Sequence, residues 1–172
     1  MPDVVVRSAR RAELAAVGEL RIAAYRAQNL LSAHPAYADT LRILGADGRG
    51  EVLVAVDGDV AGGGVGGEIL GSIMLDPWHE GSEIARGPDE AEIRGLAVAP
   101  AAQGRGVGTR LVRAVIARAA AGGTRRLLLS TQPAMTAAQR LYVATGFSRL
   151  PERDWSPTPG LTLLAFCLPL AG

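Results

Sequence analysis

One six-residue stretch, Gln103-Gly104-Arg105-Gly106-Val107-Gly108, constrains the fold of this chain more than any other. It follows an apolar run that ends near Pro100 and precedes an amphipathic stretch that begins at Thr109, so it predicts a strand, a tight turn and a helix start. Its three glycines leave no Cβ between the main chain and a ligand. The free N–H groups of a first helical turn also carry the positive end of the helix dipole. The stretch is therefore typical of a site for an anion such as a pyrophosphate.

Other nucleotide-binding motifs with glycine-rich turns do not fit these residues. A Walker loop ends in Gly-Lys-Ser/Thr, and the chain contains no lysine. A dinucleotide-binding fingerprint would need its last glycine at Thr109, and the expected strand, turn, helix and ribose-binding acid do not follow. A glycine-rich turn without a ligand is the minority alternative, because three alternating glycines at a helix start exceed what a turn requires.

The composition fits one domain with a hydrophobic core. The 172 residues are 48% hydrophobic, and no change of composition marks a linker. Eighteen arginines and seventeen acidic residues are mixed along the chain and give a formal charge of +1, which argues against a nucleic-acid partner. Cys167 is the single cysteine, which excludes an internal disulfide and a cysteine-based zinc site. With no signal-peptide pattern and no membrane-length apolar segment, we expect a cytoplasmic protein without a membrane partner.

The order of apolar patterns predicts an α/β fold. We expect strands at residues 4–7, 51–56, 69–75, 91–99 and 125–130, and two more on either side of a loop at 151–160. The cluster Gly62-Gly63-Gly64 lies between two of these strands with no helix after it, so we expect a hairpin insertion there rather than a phosphate loop. Strands that alternate with helices in this order favour a mixed sheet covered by helices on both faces.

Four stretches have helical periodicity. The second follows Pro35 and ends near Gly45, the third follows the glycine turn and stops at Gly122-Gly123, and the fourth follows Pro133 and ends at Gly146. The first has four apolar residues on its expected core face: Leu14, Val17, Leu20 and Ala24. The third has five: Leu111, Val112, Val115, Ile116 and Ala119.

The glycine-rich stretch resembles the Gln/Arg-x-x-Gly-x-Gly/Ala signature of the GNAT superfamily of acyl-CoA-dependent N-acyltransferases. Residues 91–100 are similar to the strand that precedes this signature, and residues 138–147, with Leu141, Tyr142 and Gly146-Phe147, resemble the second family motif. Order and spacing agree across residues 91–147. The resemblance implies a single GNAT N-acetyltransferase domain over residues 1–172, with a mixed, mostly antiparallel sheet flanked by helices on both faces.

The resemblance also implies a cosubstrate and the residues that bind it. Acetyl-CoA would donate an acetyl group directly to a primary amine, with a small molecule a better candidate acceptor than a protein or peptide amine. The main chain of Leu96, Ala97 and Val98 would pair with the pantetheine arm. The pyrophosphate would lie on seven consecutive residues: Gln103, Gly104, Arg105, Gly106, Val107, Gly108 and Thr109.

Two residues match catalytic positions of the family. Tyr142 resembles the tyrosine that acts as general acid in many members, and an ordinary tyrosine pKa of about 10 keeps it protonated at neutral pH. The alternative is a core tyrosine with its hydroxyl on a backbone carbonyl. Glu92 stands where several members carry a glutamate that deprotonates the amine through water, and an equal alternative is a bystander paired with Arg94. His34 and His79 are further candidate bases, each more typical of a loop residue.

Other features refine this interpretation. Gly95 weakens an apolar strand, which on sequence alone fits a bulge and compositional bias equally well, and the resemblance favours a bulge there. Met135 occupies a position that is often asparagine in the family, and the polar residues 130–132 just upstream are candidates to replace it. Arg105 is a better candidate than Arg110 for a contact with the phosphates, because it lies within the turn. We expect no metal site, since no histidine has ligand partners at suitable spacing.

The acceptor and the assembly stay open at this stage. The family sets acceptor specificity through segments that correspond here to residues 25–37 and 151–160, and neither carries a recognisable signature. Trp155 in the second segment is a candidate wall of the acceptor pocket, hairpin anchor or homodimer contact. A non-catalytic acyl-CoA-binding regulatory protein of the same fold is the alternative function, and a ligand-free structural domain is a third.

Overall fold

The computed structural model describes residues 3–58 and 67–171 of the chain. The predicted glycine hairpin at residues 62–64 lies outside these ranges. The strands are β1 Val4–Ser8, β2 Glu51–Asp57, β3 Ile69–Pro77, β4 Glu90–Val98, β5 Arg126–Thr131, β6 Ser148–Arg149, β7 Trp155–Thr158 and β8 Leu161–Pro169. The α-helices are α1 Leu14–Ala27, α2 Tyr37–Ile43, α3 Val107–Ala121 and α4 Thr136–Ala144.

The strands form one sheet in the order β1-β2-β3-β4-β5-β8-β6, and β7 pairs with β8 beside this path. Strands β4 and β5 run parallel, and every other described pair is antiparallel. The prediction of a mixed, mostly antiparallel sheet is therefore confirmed. Among the described strands, the single parallel pair, β4 and β5, lies at the centre of the sheet.

Helices cover both faces of the sheet, as expected. Successive side chains of a strand point to opposite faces. On β2, Leu53 and Ala55 belong to the core cluster that includes α3. The alternate residues Val52 and Val54 pack in a second cluster with Val17 of α1. The continuous apolar run of β2 is thus explained by burial on both sides.

Helix α3 has the predicted core face but begins two residues earlier than expected. It starts at Val107 instead of Thr109, because Gly106 precedes it in the left-handed conformation, with φ of +74°, and ends the turn there. The chain leaves the helix at Gly122, and Gly123 again has a positive φ, +82°. Its buried residues recur at helical spacing: Val107, Leu111, Val112, Val115 and Ala119.

The buried face of α1 differs from the predicted one. Leu20 is only partly buried, whereas Arg21 is 1% exposed. The Arg21 guanidinium donates hydrogen bonds to the carbonyl oxygens of Leu41, at 3.0 Å, and Leu44, at 2.7 Å, at the end of α2. Burial lowers the pKa of Arg21 to about 10. A periodicity argument misses this residue because it treats arginine as a surface residue.

A short strand lies within the predicted loop at 151–160. Strand β7 pairs with β8 at Trp155↔Leu163 and Thr158↔Leu161. Prolines at 157 and 159 hide this strand from sequence patterns, since proline lacks the N–H that a ladder uses. Among the described residues, no helix is both long enough and apolar enough to cross a membrane.

Candidate active site

Three glycines of the turn after β4 have two different structural roles. Gly104 and Gly106 have φ of +79° and +74°, and a Cβ added at either would meet no atom within 4 Å. Both positions therefore favour glycine for the backbone conformation and border open space. At Gly108, an added Cβ would lie 3.0 Å from Cδ1 of Leu141. Gly108 thus permits close packing of α3 against α4, and the expectation that all three glycines clear the main chain for a ligand stays a prediction.

The main chain of this turn offers a row of free donors. Within the described ranges, no acceptor receives a hydrogen bond from the N–H groups of residues 104–109. The regular ladder begins only with the N–H of Arg110, which lies 3.2 Å from the carbonyl oxygen of Gly106. None of the described side chains caps the start of α3. Consecutive free N–H groups at a helix N-terminus suit an anion such as a phosphate.

The long side chains of the turn contact the protein. Nε2 of Gln103 donates to the carbonyl oxygen of Val98 at 3.3 Å. Nη2 of Arg105 lies 2.8 Å from Oδ1 of Asp57, at the end of β2. Nη1 of Arg110 donates to the backbone carbonyl of Val4 at 3.1 Å. The anion-binding capacity of this region is therefore carried first by the main chain.

Strands β4 and β5 separate after a short paired stretch. Their parallel pairing consists of Glu90–Glu92 with Arg126–Leu128. After Glu92, no described strand pairs with this edge of β4. A cavity of about 260 Å³ lies here, lined by Gly95 and Leu96 from β4 and by residues 129–131 of β5. The gap gives a ligand access to the strand edge in the middle of the sheet.

Gly95 forms the predicted bulge. Strand β4 pairs with β3 at Ala97↔Ser72 and Arg94↔Met74, so two β4 residues stand opposite one residue of β3. Gly95 has φ of +65°. A glycine in this conformation is the usual first residue of one class of bulge, which bends the strand and leaves main-chain groups unpaired. The sequence-based expectation of a bulge is confirmed.

The three residues expected to contact pantetheine differ from one another in their surroundings. Leu96 lines the cavity. Ala97 and Val98 pair with β3, and the Val98 carbonyl already accepts the bond from Gln103. The edge of β4 that faces β5 has no described partner strand after Glu92, and it leads past the bulge from the cavity towards the glycine turn.

Tyr142 on α4 lines the same cavity and is 4% exposed. Its ring packs edge-on to Phe147, with centroids 5.8 Å apart, and lies 6.4 Å from the ring of Phe166. Its hydroxyl has no hydrogen-bond partner in the part of the chain that the structure describes. Burial raises the pKa of Tyr142 well above the ordinary value of 10.0. The side chain is thus a rigidly packed phenol that holds its proton at neutral pH.

Glu92 is also in the cavity wall, but its carboxylate is held by the main chain. It is 2% exposed, and its Oε1 accepts hydrogen bonds from the N–H of Ile84, at 2.5 Å, and of Ala85, at 2.7 Å. Arg94, the partner considered from the sequence, instead forms an ion pair with Glu83. Glu92 therefore fixes the loop between β3 and β4 against the sheet.

Glu83 is a cavity residue that sequence reasoning missed. It lies in the loop between β3 and β4, which the pattern marks only as polar. Burial raises the pKa of Glu83, and the charge of Arg94 opposes this rise. No motif surrounds Glu83, so only the three-dimensional contact with Arg94 identifies it as part of the site.

The two segments that the resemblance assigns to the acceptor, residues 25–37 and 151–160, both contribute to the cavity wall. From the first, Tyr25, His34 and Tyr37 line it, and the rings of His34 and Tyr37 stack with centroids 5.9 Å apart. From the second, Trp155 lines it and donates from Nε1 to Oγ of Ser130 at 3.2 Å. Trp155 is thus both a cavity wall and an anchor of β7 on β5.

Met135 lines the cavity next to the three polar residues considered as replacements for asparagine. Its sulfur accepts a hydrogen bond from the hydroxyl of Thr131 at 3.3 Å. Gln132 donates from Nε2 to the carbonyl of Leu30 at 2.8 Å.

His79 lies outside this cavity, with Nε2 3.3 Å from Oδ2 of Asp76. In residues 3–58 and 67–171, no group of three or more His, Cys, Asp or Glu side chains is placed to hold a metal.

The sequence pattern of the acetyltransferase (GNAT) family matches residues 16–147, a span that includes the turn, the bulge and Tyr142. This chain belongs to the GNAT acetyltransferase family. Among curated proteins, its sequence has no match. The GNAT assignment agrees with the observed sheet order, in which the glycine turn follows the strand that separates from its parallel neighbour.

Solved GNAT structures share the fold over nearly the whole chain. A GCN5-related N-acetyltransferase from Kribbella flavida is 26% identical, with a TM-score of 0.66 and coverage of 97% of this chain and 98% of that one. A GNAT acetyltransferase from Staphylococcus aureus Mu50 is 16% identical, with a TM-score of 0.72 and coverage of 98% and 100%. YncA from Salmonella typhimurium, solved with its cofactor acetyl-CoA, is 22% identical, with a TM-score of 0.64 and coverage of 99% and 95%.

Proposed function

We propose that this protein is a single-domain N-acetyltransferase that moves an acetyl group directly from acetyl-CoA to a primary amine of a small molecule. The observation that carries the proposal is the continuity of two features along one strand. A bulge on β4 opens into a cavity that contains Tyr142, and the same strand leads to a turn whose six N–H groups at residues 104–109 have no partner among the described residues. A GNAT acetyltransferase needs both features for one long cosubstrate.

The turn fits the pyrophosphate of acetyl-CoA. The N–H groups of residues 104–109 supply donors, and Gly104 and Gly106 leave open space beside them. The start of α3 adds the positive end of a helix dipole, which stabilises negative charge. Arg105 lies in the turn and Arg110 near the start of α3, so both can bring positive charge close to the pyrophosphate. In the structure, Arg105 pairs with Asp57, and Arg110 donates to the carbonyl of Val4.

The cavity fits the reacting end. Acetyl-CoA supplies a thioester whose carbonyl carbon accepts the amine and whose sulfur leaves as a thiolate. Tyr142 is buried and protonated, so its hydroxyl serves as the acid that donates a proton to this thiolate. Main-chain N–H groups near the bulge at Gly95 polarise the carbonyl, and one such donor typically contributes about 3–4 kcal/mol in the transition state. Glu92 and Glu83 are the two carboxylates in the wall that can serve the amine.

The size and lining of the cavity favour a small acceptor. Its volume of about 260 Å³ lies just below the range of about 300–1,000 Å³ that is usual for ligand pockets. Aromatic groups from Tyr25, Tyr37 and Trp155 surround it, and its acidic side chains suit a cationic amine. These features support a compact amine more than a folded protein surface.

The direct test is release of the CoA thiol from acetyl-CoA in the presence of a panel of amines. The panel contains alkylamines, amino acids, polyamines, aminoglycosides and peptides with free N-termini. We expect amine-dependent release with at least one small amine. Binding of acetyl-CoA without release across the panel would favour the alternative of a non-catalytic acyl-CoA-binding protein, and absence of binding would reject both.

A further inference from the structure

Glu83 faces the cavity from a loop that is held in place by another glutamate. Its side chain is 22% exposed, and the cavity that it lines also contains Tyr142. The two residues after it, Ile84 and Ala85, donate their N–H groups to Oε1 of Glu92. The carboxylate of Glu92 is therefore committed to the loop backbone, and this contact sets the position of Glu83.

Within the described part of the chain, the carboxylate of Glu83 forms one ion pair, with a guanidinium that it shares with another acid. Nη2 of Arg94 forms the ion pair with Glu83, while Nη1 of the same guanidinium lies 3.8 Å from Oδ2 of Asp76. One cation thus serves two carboxylates, and Glu92 adds a third acid in the cavity wall. Even with the buried guanidinium of Arg21, whose charge acts on Arg94, the three acids outnumber the two guanidinium groups, which attracts an ammonium group and disfavours a further carboxylate charge.

Burial and neighbouring charges both change the pKa of Glu83. Desolvation raises the pKa of Glu83 most, Arg94 lowers it, and Glu92 and Asp76 raise it. The titratable and charged groups that face it are Arg94 and Glu92 on β4, Asp76 on β3, Tyr37 on α2 and Tyr25 on α1. A carboxylate with a raised pKa is a better proton acceptor than an ordinary glutamate.

We propose that Glu83 is the catalytic base that takes a proton from the acceptor ammonium, and that Glu92 is a positioning residue that holds the Glu83 loop. This assignment rests on the proposed acetyltransferase function and replaces the sequence-based assignment of the base to Glu92. It follows from geometry: both glutamates line the cavity and each has its Oε1 occupied, that of Glu83 by Arg94 and that of Glu92 by two backbone N–H groups, but the Glu83 side chain is 22% exposed, whereas Glu92 is 2% exposed.

Each proton that leaves the acceptor nitrogen has an acceptor in the proposed reaction. The ammonium gives one proton to the carboxylate of Glu83, which later releases it to water, and the neutral amine forms the new C–N bond to the acetyl carbon. The C–S bond breaks, and Tyr142 gives its proton to the departing thiolate. The nitrogen loses its second proton as the amide forms, and this proton restores the phenol of Tyr142. The net products are the amide, the CoA thiol and one proton in solution.

The test compares three glutamine variants with the wild type, using the amine identified by the panel. Glu83→Gln is expected to lower kcat by about 10²-fold or more, the usual contribution of a general base. It should also remove the acidic limb of the kcat profile, since protonation of Glu83 is what stops wild-type turnover as the pH falls. Glu92→Gln keeps an oxygen that can accept the two N–H groups, so it should lose less activity and retain the limb. Glu80→Gln, on the exposed part of the same loop, is the matched control with wild-type turnover.

A titration gives a readout that does not depend on turnover. The carboxyl carbon of Glu83 is followed by NMR in the intact protein, with Glu83→Gln to assign its signal. We expect a midpoint above 4.5, the ordinary value. A midpoint at or below 4.5, wild-type turnover by Glu83→Gln, or loss of the acidic limb in Glu92→Gln alone would each overturn the assignment. If the wild type releases no thiol with any amine, the proposed function fails, and the titration still decides whether Glu83 is a strengthened base.

Discussion

The glycine turn and the cavity that contains Tyr142 are built in opposite ways. The turn uses consecutive residues, 103–109, and offers mainly backbone N–H groups. The cavity takes side chains from helices, strands and loops that are far apart in sequence, among them Tyr25, Glu83, Tyr142 and Trp155. A site made from the main chain of one segment depends on backbone conformation, whereas a site assembled from distant side chains depends on the whole fold. The turn should therefore be sensitive to changes at its left-handed glycines and less sensitive to loss of its long side chains, whereas the cavity should be sensitive to loss of individual side chains.

The largest effect that would test this contrast is expected from Gly106→Glu. The substitution adds a carboxylate to the turn and forces a left-handed residue with φ of +74° to carry a side chain. Like charges brought together cost several kcal/mol, so we expect acetyl-CoA binding to weaken by about 100-fold or more in calorimetry. Gly123→Glu is the control, because φ is +82° there and space is equally open, but the residue follows the opposite end of α3. Equal loss in both variants would show a stability effect rather than a phosphate site.

In the cavity, Tyr142→Phe is expected to act on chemistry alone. Removing the hydroxyl leaves the ring packed against Phe147, so acetyl-CoA affinity should hold while kcat falls by about 10²-fold. Because burial raises the pKa of Tyr142, its protonated form persists as the pH rises through 10.0, and the wild type should show no loss of activity from this residue there. Thiol release and calorimetry on the same samples make the measurement. Unchanged kcat would remove Tyr142 from the mechanism.

The sequence predicted the turn and the bulge because each depends on neighbouring residues. Glycines at 104 and 106 mark positive φ, whereas Gly95 in an apolar strand left a bulge and compositional bias equally open until the family resemblance favoured the bulge. The same reasoning could not identify Glu83, whose role depends on Arg94 eleven residues later and on a loop fixed by Glu92. Arg21 was missed for a related reason: its burial requires carbonyl oxygens that α2 supplies after the chain has folded.

A third prediction concerns the bulge, where the two regions meet. Gly95→Ala combines a φ of +65° with a Cβ that would lie 3.0 Å from Cδ2 of Leu44 and 3.4 Å from Nε of Arg21. The left-handed backbone conformation alone costs a residue with a Cβ about 1–2 kcal/mol of stability, and the crowding by these side chains adds to this cost. Gly48→Ala is the matched control, since φ is +77° and nothing lies within 4 Å. Urea unfolding should show a larger loss of free energy for Gly95→Ala, and equal losses would show that the bulge is not tightly packed.

The smallest effect is expected from Arg105→Gln. Its guanidinium pairs with Asp57 at 2.8 Å and is partly exposed, so the pair contributes about 0–1 kcal/mol to stability. If the main chain carries the phosphate site, acetyl-CoA should bind this variant with a change of less than about tenfold in Kd. Calorimetry under the conditions used for Gly106→Glu gives the comparison. A loss as large as that of Gly106→Glu would mean that the turn works through its arginine and would break the contrast between the two regions.

The most direct measurement is a crystal structure of the protein with acetyl-CoA. The account predicts the pyrophosphate oxygens within hydrogen-bond distance of the N–H groups of residues 104–109. It also predicts the acetyl group in the cavity beside Gly95, with the Tyr142 hydroxyl directed at the sulfur. A pyrophosphate bound elsewhere, or an acetyl group outside this cavity, would contradict it.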